Sequence, residues 1–330
     1  TPLYSSAASD VYKRQILRCV EPEPAGRPTS FQEVREMLGG IYETLTGKAA
    51  PPSAKPLQMR ASEYNSKGMA LDTLGHSTEA LACYERGLKM APHDSYLWMN
   101  KGALLSRLGR LEEALICIDR GLEIAPKNVE LWANKAGVLR HLGRFEESLA
   151  CSDRGLQIDP HNRDLWINKG GALAALGRSE EALGCFDRGL KVDPHDSDLW
   201  LNKGLVLLRL GRLQESLTCF DRALEINPRN SVLWSHKGTV LGRVGRFEEA
   251  LACCDRALEI DPHDSVLWRN KGAALGGLGR LEEALACFDR ALEMAPHDAG
   301  LWAVKAMALE DLGRTQEANA CLRRARELGG

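Results

Sequence analysis

Four residue types recur in this chain every 34 residues: a cysteine, a lysine, an acid and an asparagine. The cysteines are Cys83, Cys117, Cys151, Cys185, Cys219, Cys253, Cys287 and Cys321. Thiols could form disulfides, ligate a metal or fill space. Equivalent residues on successive helical repeats lie roughly 10 Å apart, too far for a disulfide. These thiols therefore read as small buried apolar groups in a reducing compartment. Five histidines (His93, His161, His195, His263 and His297) also hold equivalent places in successive copies, and so cannot converge on one metal. The residues point to no catalytic group, no metal and no cofactor.

The lysines are Lys67, Lys101, Lys135, Lys169, Lys203, Lys237, Lys271 and Lys305. They fall within an apolar stripe, where a charge is costly unless paired. The acids Glu85, Asp119, Asp153, Asp187, Asp221, Asp255 and Asp289 share the period, and the last copy has Arg323 instead. Acidity ends where no further lysine follows, which predicts a bridge from the acid of one copy to the lysine of the next. The asparagines are Asn100, Asn134, Asn168, Asn202 and Asn270, interrupted by Ser66, His236 and Val304. A row of amides offers donors and acceptors to the backbone of an extended peptide.

What must position these groups is a tandem repeat. The seven tryptophans, Trp98 to Trp302, are spaced by 34 residues, and with Tyr64 they mark position 4 of eight copies counted from Ala61. Position 8 is glycine except at Ala136 and Ala306, position 15 is glycine throughout, and position 20 is always small. Position 24 is often aromatic, and position 32 is proline in the first seven copies. Apolar or small residues at positions 3, 4, 8, 11 and 14 predict an amphipathic helix A. Glycine at 15 ends it, and a helix B follows from about position 18 to 31. Proline at 32 closes helix B, and Asp or Asn at 34 caps the next helix A.

This pattern resembles the tetratricopeptide repeat over residues 61–330. The resemblance implies an all-α, right-handed superhelical solenoid of eight helix-turn-helix repeats, with helix A lining the concave face. Some members of that family bind peptides through an asparagine ladder, so the candidate groove is Asn100, Asn134, Asn168, Asn202 and Asn270. Between the amides lies an apolar floor of Met99, Ala103, Ala133, Gly137, Ile167, Gly171, Leu201, Leu205 and Leu208. Arg107, Arg140, Arg209, Arg243 and Arg269 add positive charge, opposed by Glu130, Asp164 and Asp198. The carboxylate clamp of chaperone-binding members also needs asparagine at position 9; here that position is Met, Ala, Gly, Leu or Thr, which argues against that partner class.

The first sixty residues have another texture. Residues 16–47 resemble the closing segment of a eukaryotic-type protein kinase domain, through Cys19, Pro24, Arg27-Pro28, Phe31, Val34 and Leu38, with Ser30 and Glu33 as a capping box. The nucleotide and metal motifs of a kinase are missing from the sequence. Residues 1–15 resemble translated sequencing-adaptor read-through and are set aside, and residues 48–60 are a Pro/Ala/Lys linker.

Net charge is −2, which offers no field for nucleic acid. No apolar run is long enough to span a membrane and no signal peptide is visible. The expectation is a monomeric, cytoplasmic, non-enzymatic scaffold that holds a protein or peptide partner in its groove, as a recruitment or regulatory module if the kinase resemblance holds. The alternatives are a fragment of an active kinase, with catalysis upstream, and RNA-binding helical repeats. The eighth copy is expected to be a carboxy-terminal cap, because Asn319 and Arg326 replace leucines that copies 1–7 keep at positions 21 and 28.

Overall fold

The computed structural model describes residues 60–329. The expectations for residues 1–15 and 16–47, and for the linker up to residue 59, lie outside the described residues.

Sixteen helices and no strand occupy the described residues. Repeat 1 is α1 (Ala61–Thr73) with α2 (Ser77–Met90), and repeat 2 is α3 (Ser95–Arg107) with α4 (Leu111–Ile124). Repeat 3 is α5 (Val129–His141) with α6 (Phe145–Ile158), and repeat 4 is α7 (Arg163–Ala175) with α8 (Ser179–Val192). Repeat 5 is α9 (Ser197–Arg209) with α10 (Leu213–Ile226), and repeat 6 is α11 (Ser231–Arg243) with α12 (Phe247–Ile260). Repeat 7 is α13 (Ser265–Gly277) with α14 (Leu281–Met294), and repeat 8 is α15 (Ala299–Asp311) with α16 (Thr315–Gly329). Helix B therefore spans positions 17–30 in repeats 1–7, one residue earlier than expected, and 17–31 in repeat 8.

Each boundary has a local cause. The position-15 glycines all have positive φ, from 73° at Gly211 to 81° at Gly75. Glycine adopts this left-handed conformation without a Cβ clash. The following N–H then reaches back to position 11, as from Arg110 to Leu105 at 2.9 Å, while Gly109 donates to Ser106 at 3.0 Å. This double bond pattern satisfies carbonyls that the helix end leaves free. At the next helix A, the Asp94 carboxylate accepts from the Tyr96 and Leu97 N–H groups at 3.0 and 3.3 Å. Helix B lacks such a cap. Instead Arg at position 16 forks onto Glu at position 19, as Arg178 does onto Glu181 with two bonds of 2.7 Å. These bonds from arginine hold Glu113, Glu147, Glu181, Glu215, Glu249, Glu283 and Glu317 below the usual carboxylate range. A negative charge in the first turn also suits the helix dipole.

The tryptophan and the proline of the period share one function. Each indole Nε1–H donates to the carbonyl of the preceding repeat's proline, from Trp98 to Pro92 at 2.8 Å through Trp302 to Pro296 at 3.0 Å. Proline breaks the helix, and tryptophan fastens the resulting turn to the next repeat.

Within a repeat, positions 8 and 24 are complementary in size. A Cβ on Gly170 would lie 2.4 Å from the Phe186 ring, and one on Gly272 would lie 2.5 Å from Phe288. Where position 8 is Ala136, position 24 shrinks to Ser152. Between repeats, small position 27 receives Leu at position 3: a Cβ on Gly189 would meet Leu199 at 2.7 Å. Two position-20 serines are buried and satisfied, Ser148 donating to the Ala136 carbonyl and Ser216 to that of Gly204, both at 2.8 Å.

Two packing expectations are corrected. Position 14 is only partly buried: Leu74 is 72% exposed and Leu108 44%, while Leu142 and Leu312 are half-buried against the core. It sits at the helix cap, where the chain turns away, and position 10 (Leu104, Val138, Val206, Val240) is buried instead. The lysine row is also less buried than a stripe position suggests. The inter-repeat bridges form as expected: Lys169 reaches Asp153 at 2.5 Å, Lys203 reaches Asp187 at 2.6 Å and Lys237 reaches Asp221 at 2.7 Å. Yet the acids are about half exposed. The lysine stems run over Trp, with the Lys203 amine 5.5 Å from the Trp200 ring centre, so the charge snorkels to the surface.

The position-23 thiols are free and buried, as is Cys254. Burial pushes Cys219 and Cys253 up to about 11 and Cys254 to about 12. A thiol so far from ionisation is a poor nucleophile.

Candidate interaction groove

Positions 2, 5, 6, 9, 12 and 13 of the A helices form one surface, opposite the buried stripe at 3, 8, 10 and 11. The caps and left-handed glycines hold every helix A at the same length of thirteen residues, so equivalent positions fall in rows. Met99, Ile167, Leu201, Leu205 and Leu208 on this surface are half-buried. Each packs against the rim of an inter-repeat core. The apolar floor therefore has two roles: it joins one helix A to the next, and it leaves a partly open apolar strip.

The asparagines do not form a uniform ladder. Asn168 is buried, and its amide donates to the Ala133 carbonyl of the previous repeat at 3.1 Å. Asn100 donates to Asn65 at 2.9 Å, and Asn270 to the Ser235 hydroxyl at 3.1 Å. These three tie neighbouring A helices together. Asn202 turns back to its own helix, onto the Asp198 carbonyl at 2.7 Å. Asn134 borders a cavity and makes no side-chain hydrogen bond among the described residues. At His236 the row is replaced by a ring stacked on Phe220, 5.8 Å between centroids, and burial lowers its pKa.

The arginines divide likewise. Arg107 pairs with Asp72 of the previous repeat, and Arg243 donates to the Leu208 carbonyl at 3.1 Å. Arg209 is exposed at the groove edge. Arg140 is half-buried, and its Nε has no hydrogen-bond partner.

Two cavities open on this surface. One, about 270 Å³, is bordered by Ser106, Asn134, Arg140, His141 and Ile167. The other, about 250 Å³, lies between α11 and α13 against Thr239, Gly242, Phe247 and Ala273. It exists because position 12 is glycine there: nothing lies within 4 Å of where a Gly242 Cβ would be. No cluster of three or more His, Cys, Asp or Glu among the described residues could hold a metal ion. No helix among them is long and apolar enough to cross a membrane.

Paired antiparallel helices repeated end to end, without a closed core, define a helical solenoid whose chemistry is that of a surface. Residues 65–129, 129–162, 167–231, 219–252, 240–308 and 299–328 each match a model of the tetratricopeptide repeat. The chain belongs to the tetratricopeptide repeat family. The crystal structure of a tetratricopeptide repeat protein from Parabacteroides merdae ATCC 43184 is similar over 81% of this chain and 98% of that one, with TM-score 0.58 and 19% identity. MamA from Desulfovibrio magneticus RS-1 is similar over 51% of this chain and 94% of its own, with TM-score 0.47 and 22% identity. YrrB, described as a TPR protein with an unusual peptide-binding site, is similar over 56% and 95%, with TM-score 0.42 and 23% identity. At such identities the likeness is one of fold. No curated protein matches the sequence.

Proposed function

We propose that the chain is a non-catalytic scaffold that holds an extended peptide of a protein partner along its A-helix surface. One observation carries this reading: half-buried apolar side chains, Met99 in repeat 2, Ile167 in repeat 4 and Leu201 and Leu205 in repeat 5, share the A-helix surface with open polar groups. Apolar surface gathered on one face is suited to a partner more than to solvent. The peptide contacts assigned are Asn134, Asn202 and Arg209 with those apolar side chains. Asn100, Asn168 and Asn270, whose amides bond to a neighbouring repeat, set the spacing of the A helices, as Arg107 and Arg243 do. The buried free thiols suit a reducing, cytoplasmic setting. A monomer is the proposed state.

The test is capture of a binding partner by the full chain and by an Ile167→Glu, Leu205→Glu variant. Circular dichroism would confirm that the variant keeps its helices. The expected outcome is a fall in affinity of about tenfold or more for a partner that wild type retains. An Arg154→Glu variant, altered on an exposed helix B position, should bind as wild type does. Equal retention by the groove variant would refute the proposal.

The kinase-recruitment reading rests on residues 16–47 alone. Longer sequence from the same locus decides it: a catalytic domain upstream would support it, and its absence would leave a free-standing scaffold.

A further inference from the structure

The cavity bordered by Arg140 lies among repeats 2 to 4, in the amino-terminal half of the array. It is the one place where a buried side-chain nitrogen or oxygen among the described residues has no partner, the Nε of Arg140. Native structures rarely leave a buried polar atom unsatisfied without a reason. Two other groove arginines are answered, Arg107 by Asp72 and Arg243 by the Leu208 carbonyl at 3.1 Å, while Arg209 is exposed to water. Arg140 makes no ion pair within the described residues. Burial alone pulls its pKa down, with no opposing acid.

The surroundings leave room for that side chain. Its stem crosses α7 where position 9 is glycine: a Cβ on Gly171 would sit 3.1 Å from the Arg140 Cδ and 3.6 Å from its Nε. Position 9 of the preceding repeat is also glycine, Gly137, which borders the cavity. In other repeats that position carries Met69, Ala103, Leu205, Thr239, Ala273 or Met307. Glycine inside a helix is unfavourable, so two in succession run against helix propensity at the place where the arginine needs room. Around it stand further donors, the amide of Asn134, the hydroxyl of Ser106 and the ring of His141. One acid, Asp164, borders the same cavity, but it is 58% exposed and paired with Arg163 at 3.4 Å.

We infer that this cavity takes the side-chain carboxylate of an aspartate or glutamate from the bound peptide, with Arg140 as its ion partner and Asn134 as a second donor. A carboxylate matches the planar guanidinium fork, and a shielded pair of this kind is stronger than one in open water. Repeats flank the cavity on both sides, so an extended chain laid along the groove passes through it and presents a side chain there. The inference rests on the peptide-binding reading above and adds a sequence preference to it.

The experiment is selection from a display library of random linear peptides on the full chain and on Arg140→Gln. The expected result is a set of wild-type binders sharing an acidic residue at one fixed place. On Arg140→Gln that preference should fall by about tenfold or more while the apolar positions remain. The melting temperature of Arg140→Gln should equal or exceed that of wild type, since an unanswered, half-buried charge is removed. Binders that share apolar positions but no acid would overturn the carboxylate site and leave the groove standing. An acid preference unchanged in Arg140→Gln would also overturn it, as would a lowered melting temperature without loss of preference, which would make the arginine a packing residue. If no peptide is selected at all, both this inference and the groove reading fail.

Discussion

The lysine–acid bridge shows how little a residue's place in a pattern says about its energy. Lys203 and Asp187 meet at 2.6 Å, but the acid is 51% exposed and the lysine 22%. Water already solvates the carboxylate, so losing its partner costs little. Asp187→Ala should destabilise by about 0.2–1 kcal/mol, the range of exposed pairs, and the effect should shrink in high salt. Thermal or urea unfolding at low and high ionic strength would check this. A loss near 3 kcal/mol would mean that the pair behaves as buried. The lysine keeps a second attachment in either case, its stem and charge over the Trp200 ring.

At the scale of the element, the fit of helix A to helix B is decided by two positions that see each other. Gly170 faces the Phe186 ring, while Gly238 faces Cys254, where a Cβ would find its nearest neighbours at 3.3–3.4 Å. The same substitution should therefore have opposite consequences. Gly170→Ala drives a methyl into an aromatic ring with nowhere to move and should cost about 1–3 kcal/mol. Gly238→Ala should be neutral or gain up to about 1 kcal/mol from helix propensity. Ala136, opposite Ser152, is a natural instance of the second case. Unfolding free energies of the two variants measured side by side are the check, and equal losses would contradict the size-matching account.

At the scale of the whole molecule, each repeat covers the apolar face of the one before it. Leu285 and Leu292 of α14 are 5% and 7% exposed because repeat 8 lies against them. In α16 the corresponding residues are Asn319 and Arg326, both exposed. Removing residues 299–330 would return two leucines to water at about 1.5–3 kcal/mol each, along with the rest of that interface. The truncated chain should aggregate or melt well below the full one, as light scattering and calorimetry would show. A truncated chain that stays monodisperse and melts at the same temperature would remove the capping role from repeat 8.

Most of the fold was legible from residue spacing because its causes are local. A glycine every 34 residues at a left-handed turn, a proline that ends helix B and an Asp or Asn cap act within a few residues of themselves. They recur wherever the sequence recurs. Even the inter-repeat lysine bridge could be read, since a fixed period turns a distant neighbour into a fixed offset. What the period could not decide was which groups remain open. Asn100, Asn168 and Asn202 look alike in sequence, yet one amide meets Asn65, one the buried Ala133 carbonyl and one its own helix. The difference follows the non-repeating residues at positions 5 and 9 on the facing helix. The Arg140 cavity arises in the same way, from two glycines and an arginine in adjacent repeats. Sequence spacing sets where each helix begins, ends and stacks. Only the packed array decides which polar atoms find partners inside it and which, like the Arg140 Nε among the described residues, do not.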